Sequence, residues 1–378
     1  MTDTATPTIH KGLFGVTVDE TAISKVMAET NSLTYRGYPV EELCEHASFE
    51  EVAYLMWYGE LPNSEQLARF TDAERGLRGL TRDQVALLDT FADDAHPMDV
   101  LRAGIAALGA EKNRGFADAE QAQRDHAMSL LGKIPTFVAA DHRRRKGLSA
   151  VSPRADLGFS ENFLYMMTGE VPSPEVAKAF DVSMILYAEH GFNASTFTCR
   201  VIASTLSDLN SAITGGIAAL KGPLHGGANE AVMYMLLDMD GPASGKAWVE
   251  EALASKKKIM GFGHRVYRSG DSRVPTMRTY LRGLAMINDR MDLIETMDAV
   301  EDAMLDAKSI HPNVDFIAGP AYYLMGIEID FYTPLFVMSR ITGWCAHYFE
   351  QISSNRLIRP LAAYTGAAQR RVKPLGLR

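Results

Sequence analysis

Two histidines in glycine-rich turns and one aspartate after a proline turn are the residues here whose types and spacing could do chemistry. His225 stands in Lys221-Gly-Pro-Leu-His225-Gly-Gly-Ala-Asn-Glu230, and His264 in Met260-Gly-Phe-Gly-His264-Arg-Val-Tyr-Arg268. Asp315 stands in His311-Pro-Asn-Val-Asp315-Phe316. Glycine lets backbone approach a ligand closely, and loops on a rigid scaffold present functional groups. A carboxylate flanked by Val314 and Phe316, if desolvated, becomes a stronger base. Removing a proton next to a carbonyl also needs a hydrogen-bond donor where negative charge develops, and a neutral histidine can supply it. The second histidine could polarise a carbonyl under attack.

Cationic side chains near these turns predict an anionic substrate. Arg273, Arg340 and Arg359 sit beside glycine or proline, in Asp271-Ser-Arg273-Val-Pro275, Ser339-Arg340-Ile-Thr-Gly343 and Leu357-Ile-Arg359-Pro360. A guanidinium fork pairs both oxygens of a carboxylate, so these residues suit a small polycarboxylate. Taken singly, each would be an ordinary surface or capping residue; the argument is their coincidence with the histidines. The Gly261-Phe-Gly263 turn, with Lys256, Lys257, Lys258 and Arg268 around it, suits a nucleotide-bearing molecule. No His-x-x-x-His or Cys-x-x-Cys spacing occurs, so no metal site is expected. His10, His46, His126 and His142 read as structural, and His96 and His347 lean the same way.

The elements that must position these groups are helical. Val40, Leu43, Cys44 and Ala47 recur at helical spacing, and Ser48-Phe-Glu-Glu51 predicts an N-cap before the apolar run Val52–Tyr58. Helices are expected over 64–76, 81–92, 97–108, 121–140 (kinked or divided at Pro135), 160–169 and 173–189, with an apolar pattern resuming to Leu220. Further helices are expected over 247–254, 274–291, 293–306, 320–325 and 333–355. Extended pieces are expected only over 11–16 and 31–38. The basic run Asp141-His-Arg-Arg-Arg-Lys146 reads as a solvated helix end rather than a ligand site. The expected architecture is mainly α: a large helical domain over 1–220 and 321–378, with a smaller helical domain, 221–320, inserted and a cleft between them.

Composition sets outer bounds. The chain has 378 residues, 38 basic against 47 acidic side chains and a net charge of −9. Such a surface gives no general attraction to nucleic acid or anionic lipid, so anions must bind at local basic clusters. Three scattered cysteines make no disulfide framework, and no uncharged apolar run is long enough to span a bilayer. The opening Met1-Thr-Asp-Thr-Ala-Thr-Pro7 has no signal-peptide pattern, so a cytoplasmic location is expected.

Taken together, Gly222–Glu230, Met260–Arg268 and Pro312–Asp315 resemble the three catalytic segments of the citrate synthase family, in order and at family-like spacing. Ala188-Glu-His190-Gly-Phe-Asn-Ala-Ser-Thr-Phe197 and Asn31–Tyr38 are further matches, so the resemblance covers nearly the whole chain. It implies a two-domain helical homodimer that condenses an acyl-CoA thioester with oxaloacetate and then hydrolyses the thioester. It also implies roles: Asp315 takes the α-proton, His225 stabilises the enol oxygen, and His264 polarises the oxaloacetate carbonyl. His190, Arg273 and Arg340 would hold oxaloacetate, with Arg359 reaching in from the partner subunit. Coenzyme A would lie along Lys258, Ile259, Met260, Gly261 and Gly263, with Asn313 beside it and Arg268 near its phosphates. No permanently bound cofactor is implied.

The segments Lys11-Gly-Leu-Phe-Gly-Val16 and Gly319–Gly326 look more like the 2-methylcitrate synthases, which use propionyl-CoA, than like citrate synthases proper. One methyl group is worth only ~1–3 kcal/mol of discrimination, so overlap with acetyl-CoA is expected. The alternatives are a citrate synthase using acetyl-CoA, a citryl-CoA-cleaving lyase, and a non-catalytic paralogue. The last would be marked by loss of His225, His264 or Asp315, and all three are present.

Overall fold

The computed structural model describes residues 8–27, 29–110, 120–264, 267 and 270–378. Near the start a small antiparallel meander forms from β1 (Ser24–Met27), β2 (Ser32–Tyr35) and β3 (Tyr38–Pro39). Alternation along β2 turns Leu33 and Tyr35 inward, as a half-buried strand requires. Tyr35 Oη lies 3.0 Å from the carbonyl oxygens of both Ile185 and Glu189, which pins the sheet to the segment carrying His190. Residues 11–13 form a single 3₁₀ turn instead of an extended piece, because Gly12 and Leu13 both adopt positive φ.

The rest is helical. The first eight helices are α1 (Val40–His46), α2 (Phe49–Tyr58), α3 (Ser64–Leu77), α4 (Arg82–Leu88), α5 (Pro97–Ala110), α6 (Glu120–Arg145), α7 (Phe159–Thr168) and α8 (Pro174–Tyr187). They are followed by α9 (Ala194–Ser204), α10 (Leu209–Leu220), α11 (Ala228–Leu237) and α12 (Pro242–Ala254). The last four are α13 (Val274–Ile287), α14 (Met291–Lys308), α15 (Val314–Leu324) and α16 (Tyr332–Ser353). The predicted cap of α2 is a full capping box: Ser48 Oγ accepts from Glu51 N–H, and Glu51 Oε2 accepts from Ser48 N–H.

The structure departs from the sequence expectations where tertiary packing overrides local signals. α6 runs through Pro135, whose missing N–H is tolerated because Leu131, Ile134, Phe137 and Val138 bury that turn in the core. The apolar stretch ending at Leu220 is two helices, divided at Asp208, which caps α10 by accepting from Ser211 N–H at 2.9 Å. α11 follows the His225 turn directly and had no sequence expectation of its own. The short helix expected at 320–325 begins instead at Val314, so Asp315 lies in a first helical turn rather than in a loop. The basic run closes α6 and is partly buried: Arg144 pairs with Asp93, Arg145 with Asp141, and His142 and Lys146 with Glu328.

α16 is the axis of the molecule. It is buried from Tyr332 to Phe349 and packs against α2, α6, α8, α9 and α10. Side chains of this size each contribute about 1.5–3 kcal/mol on burial, which makes this helix a fixed reference for whatever it carries. It carries Arg340. Among the described residues no helix is long and apolar enough to cross a membrane, and all three cysteines are free and buried.

Candidate active site

One cleft of about 1200 Å³ gathers His190, His225, His264, Arg273, Asp315 and Arg340. Lys258, Ile259, Met260, Gly261, Gly263 and Asn313 line it too, and Gly12 to Asp19 form part of its wall. Arg359 does not reach it. That residue lies in the exposed tail after α16, whose extended course packs against little of its own chain. Arg268 falls outside the described residues.

Asp315 owes its position to α15. Asn313 caps the helix by accepting from Asp315 N–H at 3.1 Å, and its amide donates to the Gly263 carbonyl at 3.0 Å. Backbone bonds from Gly263 N–H to His311 O and from Asn313 N–H to Gly261 O, each 2.9 Å, stitch the glycine turn to the same segment. Gly261 and Gly263 both hold positive φ, and a Cβ on Gly261 would strike Val232 at 2.6 Å. Only glycine fits there.

Burial raises the Asp315 carboxyl to about 6, although the Tyr187 hydroxyl donates to it at 2.6 Å and Arg273 lies near. A carboxylate in that range is a usable base near neutral pH.

His225 comes from the turn before α11, and its Nε2 faces the start of α9. Ser195 N–H donates to that nitrogen at 3.2 Å, and Ser195 Oγ lies 2.8 Å away. Trp344 Nε1–H and Asn193 Oδ1 fix the serine hydroxyl in turn. Accepting a backbone N–H at a helix N-terminus requires an unprotonated Nε2, so the ring is neutral and carries its proton on Nδ1. Burial, aided by Arg340, lowers its pKa to about 4.

His264 is likewise lowered to about 4, by burial and then by Arg273. Tyr267 N–H points at its Nδ1 at 3.5 Å, which favours the proton on Nε2. His190 is pushed well below its ordinary value by burial and by Arg273, and its Nε2 lies 3.2 Å from Tyr267 Oη. All three histidines therefore act as neutral hydrogen-bonding groups.

The buried positive charge of the cleft comes from two arginines. Arg273 forks onto Asp271, Nε to Oδ1 at 2.9 Å and Nη2 to Oδ2 at 2.7 Å. This pair outweighs burial and drives the Asp271 carboxyl far below the usual range. Arg340 donates from Nε to the Tyr187 carbonyl at 2.7 Å and stacks on Phe336. Burial lowers it to about 10, with Glu189 as its main counter-charge. Glu189 is fully buried and accepts through Oε1 from Ser24 Oγ and His347 Nε2–H. Burial opposes its ionisation, but His347 and Arg340 prevail and hold its pKa low.

Sequence reasoning did not single out Tyr187, Glu189, Ser195 or Asp271 as functional. Asp271 alone left a signal, its spacing of two residues from Arg273. The other three act through partners distant in sequence. Among the described residues no group of three or more His, Cys, Asp or Glu side chains could hold a metal ion. His347 is the buried structural histidine expected, while His96 accepts from Met98 N–H and approaches Glu230 at 3.6 Å.

Comparison with known proteins bears on this constellation directly. A protein-family profile, "Citrate synthase, C-terminal domain", matches residues 12–361. A "Citrate synthase" of Mycolicibacterium smegmatis is 53% identical over 98% of both chains. A "2-methylcitrate synthase" of Mycobacterium tuberculosis (strain H37Rv) is 54% identical over 96% of this chain and 92% of that protein. Among solved structures, citrate synthase from Thermoplasma acidophilum, in ternary complex with carboxymethyl coenzyme A and oxaloacetate, superposes with a TM-score of 0.94. It shares 32% identity and covers 99% of this chain and all of its own. The fold, the near-complete coverage and these identities place the chain in the citrate synthase family.

Proposed function

We propose that this protein condenses propionyl-CoA, and acetyl-CoA beside it, with oxaloacetate and water to give 2-methylcitrate or citrate and free CoA. The observation that carries the reading is the meeting, in one cleft, of a carboxyl raised to about 6, two neutral histidines and two buried arginines. Asp315 takes the α-proton of the thioester. His225 Nδ1–H donates to the developing enol oxygen, held ready by the Ser195 contact behind it. The nucleophilic carbon attacks the oxaloacetate carbonyl, polarised by His264, and a new carbon–carbon bond forms. Water then cleaves the thioester and CoA leaves as its thiol.

Arg273, Arg340 and His190 hold oxaloacetate in this reading, and the thioester's nucleotide end runs along Lys258–Gly263. Charge counting favours a homodimer with a shared site. Within one chain Arg273 and Arg340 are offset by Asp271 and Glu189, so a dianion needs more positive charge, which Arg359 from a second copy would bring. The exposed tail fits that use. The helices from α11 to α15 pack on one another, which supports a small domain over about 221–320, joined to the rest chiefly where α13 packs on α8. The pairing of free buried cysteines with a CoA-dependent reaction fits a cytoplasmic enzyme.

A second reading, a citrate synthase preferring acetyl-CoA, is favoured by the nearly equal identity to relatives of both names. Thiol release with oxaloacetate and each thioester, compared as kcat/KM, decides between them. Preference for propionyl-CoA supports 2-methylcitrate synthesis; preference for acetyl-CoA supports citrate synthesis. No release with either overturns the condensation itself.

A further inference from the structure

Behind each half of the cleft, a helix that carries a functional side chain meets its neighbour through a glycine. On α15, Gly319 lies four residues after Asp315 and so shares its face of the helix. A Cβ at Gly319 would lie 2.7 Å from the carbonyl oxygen of Asn229, in the first turn of α11 just after His225. On α16, Gly343 lies three residues after Arg340. A Cβ there would lie 2.5 Å from the Ala188 carbonyl oxygen and 2.3 Å from Glu189 Oε2, directly before His190. Two of these neighbours are backbone oxygens, which cannot rotate away. Glu189 is anchored through its other oxygen by Ser24 and His347, and Oε2 itself has no hydrogen-bond partner among the described residues.

We infer that Gly319 and Gly343 are positioning residues that set the two halves of the active site separately: Gly319 the approach of Asp315 to His225, and Gly343 the approach of Arg340 to His190. The inference rests on the proposed condensation. Its physical basis is that a misplacement of about 1 Å, remote from the chemistry, can cost ~10²-fold in rate. The two contacts differ in what they hold. The first fixes a base against the donor that serves its transition state, so disturbing it lowers kcat. The second fixes groups that hold the substrate in both ground and transition states, so disturbing it raises KM.

The test is steady-state kinetics of Gly319→Ala and Gly343→Ala beside the wild type, with Gly283→Ala as control. Gly283 lies in α13 with nothing within 4 Å of its would-be Cβ. Gly319→Ala is expected to lose at least about tenfold in kcat with KM for oxaloacetate within about twofold. Gly343→Ala is expected to raise that KM by about tenfold with kcat largely kept, and Gly283→Ala to match the wild type. Wild-type parameters in either variant, or equal losses in kcat and KM in both, would overturn the inference. An inactive wild type would instead sink the condensation reading.

Should an alanine variant fail to fold, a milder pair tests the contacts that adjoin these in the same two halves. Val232→Ala trims an α11 side chain that abuts Gly261 beside Phe316, the residue after Asp315 on α15, and must lower kcat. Ser339→Ala removes the hydrogen bond from α16 to the Met184 carbonyl and must raise KM. An unchanged value in either refutes its half.

Discussion

Asp315 lines the cleft half-buried and Asp271 lies buried against Arg273, and their carboxyls move in opposite directions. Asp315 meets one neutral donor, Tyr187, and burial lifts it to about 6. Asp271 meets the full fork of Arg273 and the Val314 N–H, and stays ionised at any ordinary pH. Desolvation is common to both, so the counter-charge decides the sign. In the proposed condensation, the half of the cleft around Asp315 and His225 suppresses charge so that a proton can move. The half around Arg273 and Arg340 keeps two buried guanidiniums charged, each beside a carboxylate, where an anion would be held.

Removing the proposed base should break this contrast most severely. Asp315→Asn is expected to lower kcat by about 10²–10⁴-fold, as loss of a general base does, while calorimetry still finds oxaloacetate bound. Near-normal turnover would remove Asp315 from the base role. His225→Ala should follow, with a loss of about 10²–10³-fold in kcat from the missing donor, read in the same thiol-release assay. A change confined to KM would count against that role.

Asp271→Asn attacks the other half. It leaves Arg273 buried and unpaired, which costs about 3–5 kcal/mol of stability, measured by urea unfolding of wild type and variant together. A difference below about 1 kcal/mol would show that the pair is not what holds the arginine.

The smallest expected effect is in pH dependence, and it sharpens the comparison. In the proposed role Asp315 must be ionised, so kcat/KM should rise as pH increases through about 6 and level above it. His225 and His264, lowered to about 4, are already neutral there and add no limb in that window. Tyr187→Phe removes a hydrogen bond that favours the carboxylate, so the limb should move to higher pH. A shift to lower pH, or none, would mean that the tyrosine does not tune the base.

Much of this site was legible in the chain because its residues are locally marked. Glycines flank His225 and His264, a proline turn precedes Asp315, and arginines lie beside glycine or proline. The Ser48 capping box and most helices were legible for the same reason, since caps and periodicity act within a few residues. Local reasoning placed Asp315 in a loop because the proline at 312 masks the helix start at Val314, which is fixed by the Asn313 cap and by packing on α11. It divided α6 at Pro135 because it could not see the core that closes over that turn.

The sequence by itself determined which groups could serve as base, donors and anion clamps, since chemical type is a property of the residue. Only the tertiary structure decided their state. Tyr187 reaches Asp315, Ser195 reaches His225 and Glu189 faces Arg340 across long stretches of chain. Whether a buried group is charged depends on the partner that folding brings to it and on the water that folding removes. Neither is written at the position of the residue itself.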